Sequence, residues 1–335
     1  MNVELESENG EENEEITIEK TQLKPSPLKA GSKVGLICPA SRPDSPRSFK
    51  RCMQIIEDMG FVPVAGKNVL RYDGFTAGTD EERIDDLHTF IEDDSIGAIL
   101  SVCGGYGALR LLPLLDFAQV RQHPKIFLGS GDNDALLLAI NELTGLVVFH
   151  AQNLEEIDDN HTYTAVKSLL YGKNLENQIR CRDEEDASFA AAAYPLSEEL
   201  VEGIICGGNL SSLCTLFGTK YQPQLKDKIL ALDDFTERNS ILDRWFTTLY
   251  LSGVLFEVAG IAFGDFPACG GRGADNMLSI EDTFGDRIKE LRLPACFGFK
   301  FGRANKDNVL PIGIQAKLDC GQGILEFLES PLNNN

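Results

Sequence analysis

The segment from Lys125 to Leu138 places the strictest limit on how this chain folds. Residues 125–128 read as a buried strand, a tight glycine turn follows, and a helical pattern begins at Asp132. Such a strand–turn–helix unit is typical of a parallel sheet covered by helices. In hydrolases, this turn holds a nucleophilic hydroxyl or thiol above the sheet, beside free helix N–H groups. Here the residue at the tip of the turn is Gly131, which has no side chain.

Short apolar runs alternate with helical patterns throughout the first half of the chain. We predict strands over residues 34–39, 61–64, 96–102, 125–128 and 146–149, and helices over residues 48–60, 79–91, 108–115 and 132–143. This alternation indicates a doubly wound parallel sheet, and ligands bind such sheets at the carboxyl ends of the strands. Cys38-Pro39, Gly104-Gly105 and Gly131-Asp132 follow three of these strands. We therefore expect the three loops to meet at one crevice.

The second half of the chain repeats the α/β pattern after a helical and irregular connector. We predict strands over residues 203–208, 229–232, 258–263, 295–299, 310–317 and 324–327, the last two forming a hairpin, and helices after residue 208 and over 240–252 and 282–291. The chain thus divides into a tail (1–27), a first domain (28–155), a connector (156–199) and a second domain (200–330).

The formal net charge of -21 is concentrated in part at the N-terminus. Eight glutamates among the first twenty residues are opposed only by Lys20, and no hydrophobic periodicity accompanies them. Such a segment is expected to be disordered and to solubilise the chain, although a partner-binding tail on a dimeric scaffold is a further hypothesis. The acidic balance argues against nucleic acid as a partner.

The spacing of the cysteines and the hydropathy of the chain both favour a cytoplasmic location. The nine cysteines are scattered singly with no CxxC pair, which favours buried thiols in a reducing cytosol over disulfides or a zinc site. The chain has no run of eighteen apolar residues and no apolar leader after basic residues. We expect a cytoplasmic protein with no membrane contact, no cofactor and no metal.

Six sequence blocks, in order, resemble the LD-carboxypeptidases, a family of serine peptidases that includes the microcin-C immunity peptidases. The blocks are SVCGGYGALRLLPLLD, KIFLGSGDNDALLLAI, GLVVFH, CGGNLSSLCTLFGTKYQP, ILALDDFTERNSILDRWFTTLYLSG and FGFKFGRANKDNVLPIG. The resemblance covers residues 28–328. It implies an α/β protein with two domains, the first a doubly wound parallel sheet of the flavodoxin or amidotransferase type. It further implies a cytosolic homodimer that releases a terminal D-amino acid from a murein tetrapeptide during cell-wall recycling.

The resemblance also implies a Ser–Glu–His triad assembled across both domains. The positions that match the family's serine, glutamate and histidine are Gly131, Asp233 and Arg303, so all three depart from the pattern. All four histidines lie at or before position 161, so the second domain supplies no imidazole. Glycine has no attacking atom, and arginine stays protonated at neutral pH and so cannot act as the base.

Other residues near the expected crevice could replace the lost groups. Cys103 and Ser130 are candidate nucleophiles, and His150 is a candidate base, although packing or hydrogen bonding in the core explains each of them as well. The family comparison implies that the Gly104-Gly105-Tyr106 turn, with Asp132 nearby, forms the binding crevice and an oxyanion hole. The glycine-rich segments match no nucleotide-binding motif.

Four acidic residues, Asp132, Asp134, Asp233 and Asp234, follow two of the predicted strands. Paired carboxylates can hold a metal or activate water. We favour a simpler alternative, in which Asp233 and Arg303 form a salt bridge in place of the family's Glu–His pair.

The leading hypothesis is therefore a catalytically inactive member of this family that binds a peptide or murein fragment. The alternative is a cytosolic peptidase or amide hydrolase with altered catalytic residues.

Overall fold

The computed structural model describes residues 21–181, 194–195, 199–267, 269, 279–303 and 308–333. The strands are β1 (Lys33–Ile37), β2 (Val62–Ala65), β3 (Ile96–Ser101), β4 (Ile126–Gly129), β5 (Val148–His150), β6 (Gln178–Arg180), β7 (Tyr194–Pro195), β8 (Leu200–Asn209), β9 (Lys228–Asp233), β10 (Gly260–Phe263), β11 (Ala295–Phe297), β12 (Leu310–Ile312), β13 (Gln315–Asp319) and β14 (Ile324–Phe327). The α-helices are α1 (Pro46–Asp58), α2 (Asp80–Glu92), α3 (Phe117–Gln122), α4 (Asp134–Thr144), α5 (Asn160–Tyr171), α6 (Leu210–Thr215), α7 (Asn239–Leu251) and α8 (Ile280–Leu291).

Two sheets organise the described chain, in agreement with the predicted mixed α/β class. The first has the order β12-β5-β4-β3-β1-β2, and the second has the order β6-β14-β13-β8-β9-β10-β11-β7. Strands β1 to β5 are parallel, and so are β8 to β11. Because helices cover parallel sheets on both faces, the central strands are apolar almost throughout. All of the residues of β4 and β10 are buried.

Local signals in the sequence mark the helix ends correctly where capping residues are present. Thr79 and Glu82 form the predicted capping box at the start of α2, each side chain bonding the other residue's backbone N–H. The predicted helix over residues 108–115 is wrong in length, since only a short 3-10 turn forms over Ala108–Leu111. Pro113 lacks a backbone N–H and limits helix growth there. Within the described residues, no helix is both long and apolar enough to cross a membrane.

The predicted single strand over residues 310–317 is wrong. β12 pairs antiparallel with β5 in the first sheet, whereas β13 pairs with β8 and β14 in the second. The chain changes sheets at Gly313, whose positive φ of 98° permits the bend. The hairpin itself forms, but between β13 and β14.

The two segments outside the predicted domains also contribute to the fold. Residues 1–20 of the tail lie outside the described chain, but Leu23 already pairs its backbone with Gly145 and Val147. In the connector, β6 joins the second sheet through β14, and residues 182–193 and 196–198 lie outside the described chain. The proposed domain boundaries themselves stay a prediction.

Candidate functional site

The three loops at the carboxyl ends of β1, β3 and β4 meet, as predicted. The backbone N–H of Ser41 donates to the Gly104 carbonyl at 3.1 Å. The Asn133 side chain donates to the Cys103 carbonyl at 3.0 Å, and the Ala108 N–H donates to Asp132 Oδ2 at 2.6 Å. Asp132 therefore ties the glycine-rich turn after β3 to the start of α4. Burial raises the pKa of this carboxyl above its ordinary value.

Gly131 lies at the tip of a short 3-10 turn between β4 and α4, with a φ of +68°. A Cβ built on Gly131 would lie 3.5 Å from Nη1 of Arg303, the residue that we predict to match the family's histidine. The Ser212 hydroxyl, on α6, donates to the Gly131 carbonyl at 2.9 Å. Ser212 is a neighbour that the sequence did not predict, because its position depends on how α6 packs against the turn.

Asp233 ends β9 and lies beside the segment that carries Arg303. A Cβ built on Gly302 would lie 2.9 Å from Asp233 Oδ2. The structure therefore brings Gly131 next to Arg303, and Asp233 next to Gly302. That these positions correspond to the family's triad stays a prediction carried by the sequence match.

His150 occupies the centre of a fully buried group that we call the buried triplet: Asp134, His150 and Asp233. The imidazole Nδ1 lies 2.9 Å from Asp134 Oδ1, and Nε2 lies 3.5 Å from Asp233 Oδ2. All three side chains have an exposed fraction of 0%. Burial by itself lowers the pKa of His150, but the two carboxylates outweigh it, so the pKa lies well above its ordinary value.

The predicted salt bridge between Asp233 and Arg303 is wrong. Arg303 instead pairs with Glu156 and places its guanidinium over the ring of Phe235, 4.3 Å from the ring centroid. The Asp233 side chain is sealed from solvent, whereas the Arg303 side chain is 20% exposed. A partly exposed guanidinium loses less of its hydration than a fully buried one, and the Glu156 carboxylate pairs with it there. Glu156 is a second residue that sequence reasoning missed.

The four acidic residues do not form one cluster. Asp134 and Asp233 flank His150, and Asp132 is held by the Ala108 N–H. The Asp234 carboxylate accepts from the Asn209 side chain at 2.9 Å and from two backbone N–H groups. Burial raises the pKa of Asp234 to about 6.

Each candidate replacement nucleophile has a partner in the core. The Ser130 hydroxyl is fully buried and accepts from the Asn153 side chain at 3.0 Å. The Cys103 thiol donates to the Ser41 carbonyl at 3.0 Å and lies 3.8 Å from the sulfur of Cys38. Both side chains are therefore held by hydrogen bonds within the protein.

The Gly104-Gly105-Tyr106 turn, which we predict to border the binding crevice, follows β3, and its last two residues are exposed. Tyr106 is 55% exposed and packs edge-on against Phe75, with 4.8 Å between the ring centroids. Its backbone N–H donates to the Ser41 hydroxyl at 3.1 Å. The backbone N–H of Tyr106 is therefore already bonded within the protein, and an oxyanion hole formed by the N–H groups of Gly104 and Gly105 stays a prediction.

Comparisons with known proteins agree with this architecture. Residues 34–151 match the family model "LD-carboxypeptidase N-terminal domain", and residues 202–318 match "LD-carboxypeptidase C-terminal domain". The probable murein peptide carboxypeptidase of Bacillus subtilis is 34% identical over 307 residues, which cover 89% of this chain and 92% of that protein.

Solved structures show the same fold. The structure of MccF in complex with glutamyl sulfamoyl guanosine has a TM-score of 0.83 at 24% identity and covers 93% of this chain and 100% of its own. The muramoyltetrapeptide carboxypeptidase of Oxalobacter formigenes has a TM-score of 0.77 at 22% identity, covering 89% and 99%. With both domain models matched in order and a relative at 34% identity over most of the chain, this protein belongs to the LD-carboxypeptidase family.

Proposed function

We propose that this protein is a catalytically inactive member of the LD-carboxypeptidase family that binds a peptide or murein fragment in the crevice beside Gly131. The residue chemistry at the three matched positions supports the loss of catalysis. Gly131 has no attacking atom, and the Arg303 guanidinium cannot accept a proton near neutral pH. Loss of one triad member alone lowers the rate by several orders of magnitude.

The observation that carries the proposal is the burial of the one imidazole near the turn. His150 is fully buried, and its ring lies between two carboxylates. A general base must come within hydrogen-bond reach of the proton that it removes. An imidazole sealed in this way does not reach a substrate in the crevice, and the hydroxyl of Ser130 and the thiol of Cys103 are likewise held by Asn153 and Ser41.

The chemistry of Arg303 supports a ligand with a free carboxylate. Its guanidinium lies beside the tip of the turn and keeps 20% of its side chain exposed, although one of its nitrogens already pairs with Glu156. A planar guanidinium binds carboxylates through two parallel hydrogen bonds, so a peptide C-terminus is a suitable partner. The Bacillus subtilis relative is named as a murein peptide carboxypeptidase, which suggests a peptide of that class.

A binding titration tests the ligand. We expect a tetrapeptide with a C-terminal D-alanine carboxylate to bind the full chain, and the same peptide with a C-terminal amide to bind roughly tenfold or more weakly. Arg303→Ala should weaken binding of the carboxylate form to the level of the amide. Arg244→Ala, which removes an exposed arginine on α7, is the matched control and should bind normally. Equal affinity for both peptides would contradict a carboxylate-binding role for Arg303.

A turnover assay tests the loss of catalysis. We expect no release of D-alanine from the tetrapeptide by the natural chain and no labelling by an acylating serine-hydrolase probe. Restoring serine, glutamate and histidine together at positions 131, 233 and 303 should return measurable turnover, because all three roles act as a unit. Turnover by the natural chain that disappears in Cys103→Ala would instead favour the alternative, a hydrolase with altered catalytic residues.

The cytoplasmic location and the homodimer implied by the family resemblance are part of this proposal. Light scattering of the purified full chain measures its molecular mass in solution. A mass of one chain across the micromolar range would contradict the homodimer.

A further inference from the structure

A pocket of about 110 Å³ is lined by residues of α5, β5, β12 and β14. Phe149 on β5 and Pro311 on β12, which pair across the two strands, both line it. Successive side chains of a strand point to opposite faces of the sheet, so Phe149 lies on the other face of β5 from His150. The residues that line the pocket include none from the loops around Gly131. The pocket is therefore separate from the proposed peptide site.

Small side chains on α5 keep this space open. Four residues at helical spacing line the pocket from one face of the helix: His161, Thr164, Ala165 and Ser168. The last three extend at most one bond beyond Cβ, so they leave room that longer side chains would fill. A gap of this kind loses packing contacts in the empty protein, and a ligand can restore them.

The size and the apolar wall of the pocket limit what it can hold. Phe149, Leu169 and Ile179 line it with exposed fractions of 0–1%, and Phe327 lines it at 9%. Pockets for drug-sized ligands have volumes of about 300–1,000 Å³, so this one is too small for a nucleotide or a tetrapeptide. An apolar cavity of about 150 Å³ in another protein binds benzene. A single aromatic ring beside the two phenylalanines is therefore the group that fits.

Asn308 supplies the pocket with a polar anchor. Its side chain lines the pocket and is 8% exposed. Its Oδ1 accepts from Nε2 of His161 at 2.9 Å, and its backbone N–H donates to the Lys300 carbonyl at 2.9 Å. Within the described residues, the Nδ2 atom of Asn308 has no hydrogen-bond partner. An acceptor on the ligand would bond this amide N–H.

The charges around the pocket favour a neutral ligand. Glu176 lines the pocket, and none of the lining residues is a lysine or an arginine. The chain as a whole carries a formal net charge of -21. A carboxylate or phosphate would therefore be repelled, whereas a hydroxyl group would not.

We propose that this pocket is a second binding site, which takes a neutral single-ring aromatic compound with one hydrogen-bond acceptor, such as a phenol. The ring packs against Phe149 and Phe327, and the hydroxyl oxygen accepts from Nδ2 of Asn308. This site does not depend on the peptide site at Arg303, and each can fail without the other.

A ligand-detected NMR titration of the full chain with p-cresol tests the proposal. We expect one saturable site with a Kd of about 1 mM or below. Toluene, which lacks the hydroxyl group, should bind about tenfold more weakly, because it leaves the Asn308 amide without an acceptor. Arg303→Ala should bind p-cresol normally, since Arg303 does not line the pocket.

Two variants separate the contributions of space and of the amide. Ala165→Phe fills the pocket and should weaken p-cresol binding by about tenfold or more, whereas Lys167→Phe adds the same ring to α5 outside the pocket and should bind normally. Asn308→Leu should bind p-cresol about tenfold more weakly and leave the affinity for toluene unchanged. A role of Asn308 in folding alone would lower both affinities together.

A crystal structure of the natural chain with 4-bromophenol gives a reading that does not depend on whether the variants fold. Bromine replaces the methyl group of p-cresol, and its anomalous signal should lie beside Phe149 and Phe327. Absence of saturable p-cresol binding, unchanged binding by Ala165→Phe, equal affinity for toluene and p-cresol, or a bromine signal elsewhere on the protein alone would each overturn the proposal.

Discussion

His150 is set apart from the other histidines by its surroundings. His123 pairs with Asp94 near the surface, and His161 bonds the side chain of Asn308, whereas His150 has a carboxylate on each side of a ring with no exposed atom. The same residue type therefore lies in a different electrostatic environment at each site. Nothing within a few residues of position 150 in the sequence supplies these carboxylates, since Asp134 and Asp233 come from α4 and β9.

The raised pKa of His150 predicts that the stability of the protein depends on pH. A histidine whose pKa is higher in the folded state contributes stability that is complete below pH 6.5 and is lost as the pH rises through the folded value. We expect the urea midpoint of the natural chain to fall between pH 7 and pH 9. His150→Gln should flatten this slope. Parallel pH profiles for the natural chain and His150→Gln would show that the expectation is wrong.

A control separates this effect from other titrations. His161→Gln removes an exposed histidine and should leave the pH slope between pH 7 and pH 9 unchanged. The Asp234 carboxyl, whose pKa is raised from 3.8 to about 6, also makes the protein less stable as the pH rises. This loss of stability falls in a lower pH range than the loss caused by His150.

Single elements of this fold depend on a few backbone positions that join the sheets. The crossing from β12 to β13 is one of them, because Gly313 packs directly against α4. A Cβ built on Gly313 would lie 2.2 Å from Nδ2 of Asn141, the atom that donates to the Leu146 carbonyl at 2.9 Å. The crossing thus brings β12 beside β5, the strand that ends at His150.

Alanine substitutions at two glycines separate crowding from backbone strain. Gly253→Ala places a Cβ at positive φ with no heavy atom within 4 Å, so it should cost about 1–2 kcal/mol of unfolding free energy from strain alone. Gly313→Ala carries a similar strain and also displaces Asn141, so it should cost about 1–3 kcal/mol more. Equilibrium urea unfolding measures both. Equal decreases in the free energy of unfolding for the two variants would show that the Asn141 side chain moves aside at no energetic cost.

The whole molecule is held together by contacts between segments far apart in the chain. Leu23 pairs with residues next to β5, Lys24 forms a 2.6 Å salt bridge with Glu329, and the Pro25 carbonyl accepts the Asn333 N–H. Asn209, at the end of β8, donates to Asp134 at the start of α4. The contacts of Lys24 and Pro25 link the start of the described chain to its C-terminal segment, and the contact of Asn209 links β8 to α4.

Two N-terminal truncations test where the structural part of the chain begins. Removal of residues 1–20 takes away an acidic, polar segment and should leave the melting temperature unchanged within about 1 °C. Removal of residues 1–25 also deletes the backbone pairing of Leu23 and the Lys24 salt bridge, so it should lower the melting temperature by about 3–8 °C. Equal melting temperatures for the two truncations would contradict a structural role for residues 21–25.

Prediction succeeded where one segment carries its own signal. The apolar runs of β1 and β4, the capping box at Thr79 and the glycine turn at Gly131 are all local, so the alternation of strands and helices could be predicted. The switch of sheets at Gly313 and the partner of Arg303 could not. Glu156 and Arg303 lie 147 residues apart in the chain, and the residue pattern around each of them does not predict the contact.

The α/β class, the family and the lack of a hydroxyl at position 131 follow from the amino-acid sequence, because each of these depends on residue identity and on patterns within short segments. The pairing of Arg303 with Glu156, the approach of Asp233 to His150 and the burial of that imidazole emerge from the three-dimensional structure alone. Burial and ion pairing depend on which distant segments lie next to each other, and a carboxylate's charge acts on whatever the fold places within a few ångströms of it.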